Sequence, residues 1–261
     1  MLKNVVYNFN KYKFLMNQMI MRDFKVKYKR SVLGVLWSLL YPVLMMGVMA
    51  IVFSQMFKFR MEGVNYLVYL MSGLIMFNYF SEASNVAMGS IVYNFSLMTK
   101  VYIPKYIFPL SKCLFVGINF LLSLIPLFII CLITHAPISG YYLLLPYAFI
   151  CMFLFTLGIG LIMATISVFL RDMFYIYGIL LTIWNYFTPI FYDINIIPDS
   201  IQPIFELNPI YQYITFARTI LLEAKLPSFN SFLYCGVSAV SICLIGCLIF
   251  KSKQDKFIYY I

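Results

Sequence analysis

Asn78, Glu82, Asn85 and Gly89 recur at spacings of 4, 3 and 4 inside a long apolar run. On a helix those steps bring all four to one face. Glu82 is the only acid well inside such a run, and an ionisable group there faces a protein neighbour or a cavity. A helix–helix contact and a lining role on a transport path both fit it. A second face carries Gly178, Thr182, Asn185, Pro189 and Tyr192, flanked by Trp184, Tyr186 and Phe187. Aromatic residues near span ends commonly form a belt at the bilayer interface. Their rings also offer apolar faces with polar tips, which suits the C–H faces and hydroxyls of sugars.

Other chemistry is missing. No glycine is followed by lysine, so there is no phosphate-cradling G-x-x-x-x-G-K-[ST] loop, and ATP is not split here in that manner. One histidine, His135, excludes a zinc site built on paired histidines, and neither a metal nor a resident cofactor is expected. No G-x-S-x-G nucleophile turn occurs. The six cysteines form no C-x-x-C and sit almost entirely in apolar stretches, where they read as small buried hydrophobes. Arg171 and Asp172 fall in a short turn, where snorkelling or a local ion pair is worth little.

The elements that position these residues are membrane helices. The 261 residues are 63% hydrophobic and only 11% charged, with a mean hydropathy of +0.90. Soluble domains run near 45–50% apolar and 25% charged. Apolar runs long enough to cross a bilayer predict six spans, over 33–57, 66–90, 107–133, 142–170, 174–192 and 231–250. A cytoplasmic N-terminus places there Lys3, Lys11, Lys13, Arg22, Lys25, Lys27, Lys29 and Arg30. Lys100, Lys105, Lys112, Arg171, Lys251, Lys253 and Lys256 join them, leaving only Lys58, Arg60, Arg218 and Lys225 of nineteen basic residues outside. This is the positive-inside bias, with both termini cytoplasmic. The net charge of +10 is thus first a matter of topology, and nucleic acid is not an expected partner.

Two segments do more than span. In 7–31, Met16, Met19, Ile20, Phe24 and Tyr28 recur at helical spacing with Lys13, Arg22, Lys25 and Lys29 between them. That pattern is an amphipathic helix on the cytoplasmic face, either anchored to anionic lipid or packed beside a partner protein. In 193–229, prolines break the chain into two short interfacial or re-entrant helices, the second with Asn208 as N-cap and Pro209 at its first position.

Several motifs in order resemble the type-2 ABC exporter permeases, in particular the branch that exports polysaccharide and teichoic acid. They are R-D-F-K-V-K-Y-K-R-S-V-L-G-V-L-W-S-L-L-Y-P over 22–42 and S-G-L-I-M-F-N-Y-F-S-E-A over 72–83. N-F-S-L-M-T-K-V-Y-I-P-K-Y-I-F-P-L-S over 94–111 follows, then Arg171-Asp172, T-P-I-F-Y over 188–192 and N-P-I-Y over 208–211. The resemblance covers nearly the whole chain; it departs at Phe77, near which the family often carries tryptophan.

The resemblance implies an all-α integral membrane protein of the bacterial cytoplasmic (inner) membrane. It forms one permease domain over 1–261, with an interface helix at 7–31, a coupling helix at 94–104 and an outer gate segment at 193–229. The implied partners are a second copy of the chain, membrane lipids, a separate ABC ATPase that holds ATP and Mg, and a lipid-linked glycan or polyol-phosphate polymer. Teichoic acid, O-antigen, capsule and rhamnose-rich glycans all satisfy it. Ser96, Lys100, Tyr102, Pro104 and Lys105 are implied to meet the ATPase. Trp37, Tyr41, Phe77, Phe80, Glu82, Trp184, Phe187 and Tyr192 are candidates for the substrate path, and Arg171 for a lipid-phosphate headgroup at the entrance. A drug or small-lipid exporter of the same superfamily, and a membrane enzyme acting on lipid-linked sugars, are the alternatives.

Overall fold

The computed structural model describes residues 2–29, 31–52, 65–100 and 103–260, and every regular element among them is helical. Tyr102, Lys58, Arg60 and the end of the first expected span lie outside the described residues. The helices are α1 (Leu2–Tyr28), α2 (Leu36–Ile51), α3 (Tyr66–Tyr93), α4 (Phe95–Lys100), α5 (Ile107–Ile133) and α6 (Leu145–Phe169). After them come α7 (Met173–Phe187), α8 (Gln202–Glu206), α9 (Pro209–Glu223), α10 (Phe229–Lys253) and α11 (Phe257–Tyr260). Among the described residues, three helical stretches are long and apolar enough to cross a membrane: Ile107–Ile133, Gly140–Phe169 and Phe229–Tyr260. Leu36–Met49 and Met173–Phe187 are apolar but shorter. α3 has the length, 28 residues, and carries the polar stripe.

The expected fifth span is shorter than its apolar run. α7 stops at Phe187 rather than continuing to 192, because Thr188 precedes Pro189 and adopts an extended backbone, φ −100° and ψ 124°. Its 15 residues rise only about 22 Å, short of a hydrocarbon core of about 30 Å. Among the described residues of the coupling segment expected over 94–104, the helix is Phe95–Lys100. The broken segment does form two helices, and Asn208 caps α9 as expected, its Oδ1 accepting from the Ile210 amide at 3.1 Å with Pro209 in the first turn.

α3 packs against α5 and α6, α6 packs along α10, and α9 is wedged among α3, α6 and α10. Phe80, Phe155, Trp184 and Tyr213 form an aromatic centre with ring centroids 5.0–6.3 Å apart. Two buried hydroxyls of the bundle pair off: Tyr177 donates to Ser84 Oγ at 2.8 Å, and Ser167 Oγ donates to the Met88 carbonyl at 2.8 Å. The ends of α3, α6 and α10 and the starts of α5 and α7 share the end of the bundle that bears Lys100, Lys105, Lys112, Arg171, Lys251 and Lys253. This is the basic end; the far end holds α8, α9 and the loop after α5.

α6 and α10 touch backbone to backbone. A Cβ on Gly158 would lie 2.5 Å from the Ile242 carbonyl oxygen and 2.7 Å from the Cys243 amide nitrogen. Small residues permit such approach where helices pack in lipid. Gly158→Ala is therefore expected to cost about 1–3 kcal/mol by prying the pair apart. Gly178→Ala, whose Cβ meets open space, is expected to be neutral or slightly stabilising. Thermal unfolding of the two variants in detergent checks the contrast, and equal midpoints would show that the close crossing is not under strain.

Candidate functional site

α1 is built as its sequence pattern predicts, but its apolar stripe is used within the chain. Met16, Met19 and Ile20 are buried, and they join the core through α5. Asp23 meets Lys112, Phe24 meets Phe115 edge-on at 4.8 Å, and Tyr28 meets Asn119. These partners advance together along both helices, so the last two turns of α1 run beside α5 in the same direction. The stripe expected to bind lipid or a partner protein is covered by the bundle itself, leaving Lys13, Lys25 and Lys29 exposed.

Where α1 ends, a groove of about 520 Å³ opens between it and α2, α3 and α5. The 4–3 stripe of α3 supplies Asn78, Glu82 and Asn85 to its wall, while Gly89 is buried under the Tyr93 ring. Glu82 makes a helix–helix contact, its carboxylate accepting from Lys27 Nζ at 2.7 Å across to α1, and it also lines this groove. Both members are partly exposed, so this pair contributes little to stability. Tyr28 Oη donates to Asn119 Oδ1 at 3.1 Å on the opposite wall. Trp37 and Tyr41 of α2 also line the groove, with their side chains largely exposed.

The other aromatic candidates lie elsewhere. Phe77 and Phe80 are buried in the core, 2% and 0% exposed, with Phe80 against Trp184. Phe187 is exposed and stacks on Phe205 of α8 at 4.3 Å. Tyr192 Oη donates to the Tyr186 carbonyl at 2.7 Å. The structure thus brings Trp37, Tyr41 and Glu82 into one groove and places Trp184, Phe187 and Tyr192 at the far end.

Two residues organise that far end, and only one was legible beforehand. Asn208, besides capping α9, accepts from Trp184 Nε1 at 3.0 Å and donates from Nδ2 to Thr188 Oγ1 at 2.9 Å. It joins the N-P-I-Y motif to T-P-I-F-Y. Arg218, counted in the sequence only as an outer basic residue, is 6% exposed within α9. Its guanidinium donates to the carbonyls of Pro189 (2.8 Å), Tyr69 (2.9 Å) and Ile190 (3.2 Å) and lies 3.4 Å from the Tyr69 ring centroid. The Pro189 and Ile190 carbonyls follow the break that ends α7, the Tyr69 carbonyl belongs to the first turn of α3, and a planar fork of donors is suited to gather all three. Gly73 makes room: a Cβ there would sit 2.7 Å from Arg218 Nη2. The signal in the sequence was a basic residue inside the apolar segment that follows Asn208-Pro209, which marks the residue but not its carbonyl partners.

At the basic end, Lys112 Nζ lies 2.6 Å from Asp23 Oδ2, both side chains nearly buried, and Arg22 bridges Asp23 and Asn94. Ser96 and Lys100 of α4 are exposed, and Pro104 is half-buried. Lys105 Nζ donates to the Gln254 carbonyl at 2.6 Å, so its charge caps the end of α10. Arg171 and Asp172 are exposed and no ion pair joins them, so the local pair expected from their adjacency is not formed.

Apolar helices around a polar groove rimmed by aromatic rings fit a membrane protein that handles a polar ligand, and the sequence carries no P-loop motif. Residues 15–222 match the ABC-2 type transporter family, and the chain belongs to that family. It is 30% identical over 251 residues to the O-antigen export system permease protein RfbA of Myxococcus xanthus, covering 94% of this chain and 95% of the relative. It is 28% identical over 241 residues to the protein of the same name from Klebsiella pneumoniae, covering 90% of each. The capsule polysaccharide export inner-membrane protein BexB of Haemophilus influenzae is 24% identical over 251 residues, covering 91% and 90%. These relatives are transport proteins, and neither a drug exporter nor a membrane enzyme is among them.

Proposed function

We propose that this chain is the membrane-spanning subunit of an ATP-driven exporter that moves a lipid-linked polysaccharide or polyol-phosphate polymer across the bacterial cytoplasmic membrane. The observation that carries this reading is the family match over 15–222, joined to relatives named for O-antigen and capsule export that align over nine-tenths or more of the chain. In this reading α2, α3, α5, α6, α7 and α10 are six spans, with the basic end and both termini in the cytoplasm. Two copies face one another, and each docks an ATPase that holds ATP and Mg. α8 and α9 stand at the outer mouth as gate helices. The aromatic residues Trp37, Tyr41, Trp184, Phe187 and Tyr192 give the glycan apolar faces to pass over, and Phe77 and Phe80 back them from the core. Arg171, exposed and unpaired with Asp172, is free to meet a lipid phosphate at the entrance.

The docking element is α4. Its exposed Ser96 and Lys100 are the positions to meet the ATPase, with Tyr102 and Pro104 following, whereas Lys105 acts through its hold on Gln254. The test is copurification of the chain with its ATPase from native membranes, followed by ATP hydrolysis with and without lipid-linked glycan. Stoichiometric capture and glycan-stimulated hydrolysis are expected. Lys100→Glu is expected to lower the stimulated rate at least about fivefold while α5 and α10 stay folded, a loss of roughly 1 kcal/mol in a charged contact. A chain that captures no ATPase would overturn the reading.

A further inference from the structure

We infer that the groove inside a single protomer is a saccharide subsite, holding one sugar unit of the glycan in competition with Lys27 and Tyr28 of α1. The inference rests on the export reading and adds a site within one subunit and a route by which its occupancy reaches the N-terminal helix. Asn119, 7% exposed on the groove wall, holds its Oδ1 on Tyr28 and has no hydrogen-bond partner for its Nδ2 among the described residues. An unpaired buried amide costs about 1–3 kcal/mol, which a ligand supplying an acceptor would recover. Beside it stand the Glu82 carboxylate and the exposed rings of Trp37 and Tyr41.

This mixture is matched to a polyol with C–H faces. Carboxylate and amide oxygens accept from hydroxyls, amide and phenol hydrogens donate to them, and the rings cover the apolar face. Phosphate fits less well, since Lys27, the cation among the described wall residues, is already paired with Glu82 and the carboxylate repels an anion. The same two acceptors, Glu82 and Asn119, now hold α1 through Lys27 and Tyr28. A sugar that takes them over releases the last turn of α1, the helix whose preceding turn is anchored to α5 at the basic end.

The test uses the chain with its ATPase in nanodiscs, without ATP. The probe is the lipid-linked saccharide fraction extracted from the chain's own cells. The chain has two tryptophans, so an emission change lost in Trp37→Phe reports the groove. The native fraction is expected to shift Trp37 emission and to speed hydrogen exchange over 24–28. The same fraction after periodate, which destroys vicinal diols and spares phosphate and lipid, is expected to do neither. Lys27→Met, by freeing Glu82, is expected to tighten binding about two- to fivefold, the worth of an exposed ion pair. Asn119→Leu, near in volume, is expected to weaken it.

A response that survives periodate would assign the groove to phosphate or lipid and overturn the inference. If the fraction stimulates ATP hydrolysis but leaves Trp37 and α1 unchanged, the subsite fails and the export reading stands. If it neither stimulates hydrolysis nor reaches Trp37, both fail.

Discussion

Arg218→Leu is expected to destabilise the chain by about 2–4 kcal/mol, a fall of roughly 5–15 °C in the unfolding midpoint in detergent. The variant removes three charge-assisted hydrogen bonds and the contact with the Tyr69 ring. The Pro189 carbonyl keeps the Tyr69 hydroxyl at 3.2 Å, but the guanidinium is the partner reported for the Ile190 carbonyl. In lipid such a group has no water to turn to. Arg218→Lys keeps the charge but not the planar fork, so it is expected to recover less than half of the loss. Gly73→Ala presses the same guanidinium from the other side and is expected to act in the same direction. If α4 docks an ATPase as proposed, that docking is expected to survive in all three, since α4 lies at the basic end. Unchanged midpoints would mean that α9 is held by apolar packing alone.

The second large effect is expected at Asp23. Asp23→Ala strands Lys112, which is 14% exposed at its side chain and 2.6 Å from the lost carboxylate. Breaking one side of such a pair costs about 3–5 kcal/mol, because a cation is left in a poorly solvated place. The loss is expected to be local to α1: its amides over 16–28 should exchange at least about 100-fold faster, while those of α6 and α10 change little. The double variant Asp23→Leu with Lys112→Met replaces the pair by apolar side chains and is expected to restore exchange to within about 1 kcal/mol of the parent. Hydrogen exchange read by mass spectrometry decides the matter. A double variant as loose as the single would show that the ion pair holds α1 by more than avoidance of a stranded charge.

These predictions also mark how far the sequence reaches. Composition and run length alone settled the class, because 63% apolar residues with 11% charged cannot clothe a water-facing surface. The 3.6 period placed Asn78, Glu82 and Asn85 on one face, and Asn208-Pro209 announced the start of α9, since capping is chemistry of adjacent residues. The stripe of α1 was equally plain as a pattern. What covers that stripe was not, because an apolar face is satisfied as well by lipid, by a partner or by the chain's own α5.

Tertiary structure decided everything that depends on residues far apart in the chain. The contact of Glu82 with Lys27, 55 residues away in the sequence, is set only by the fold. Phe77 and Trp37 looked alike as aromatic residues of spans, yet one is buried in the core and the other stands on the groove. Aromatic type states what a ring can do and not which way it turns. Arg218 counted as one more outer charge because its partners are backbone carbonyls, which every residue carries and no residue name reveals. Only the break at Pro189, folded against α9 and α3, gathers the Pro189 and Ile190 carbonyls with that of Tyr69 around one guanidinium, and that is a property of the bundle rather than of any segment.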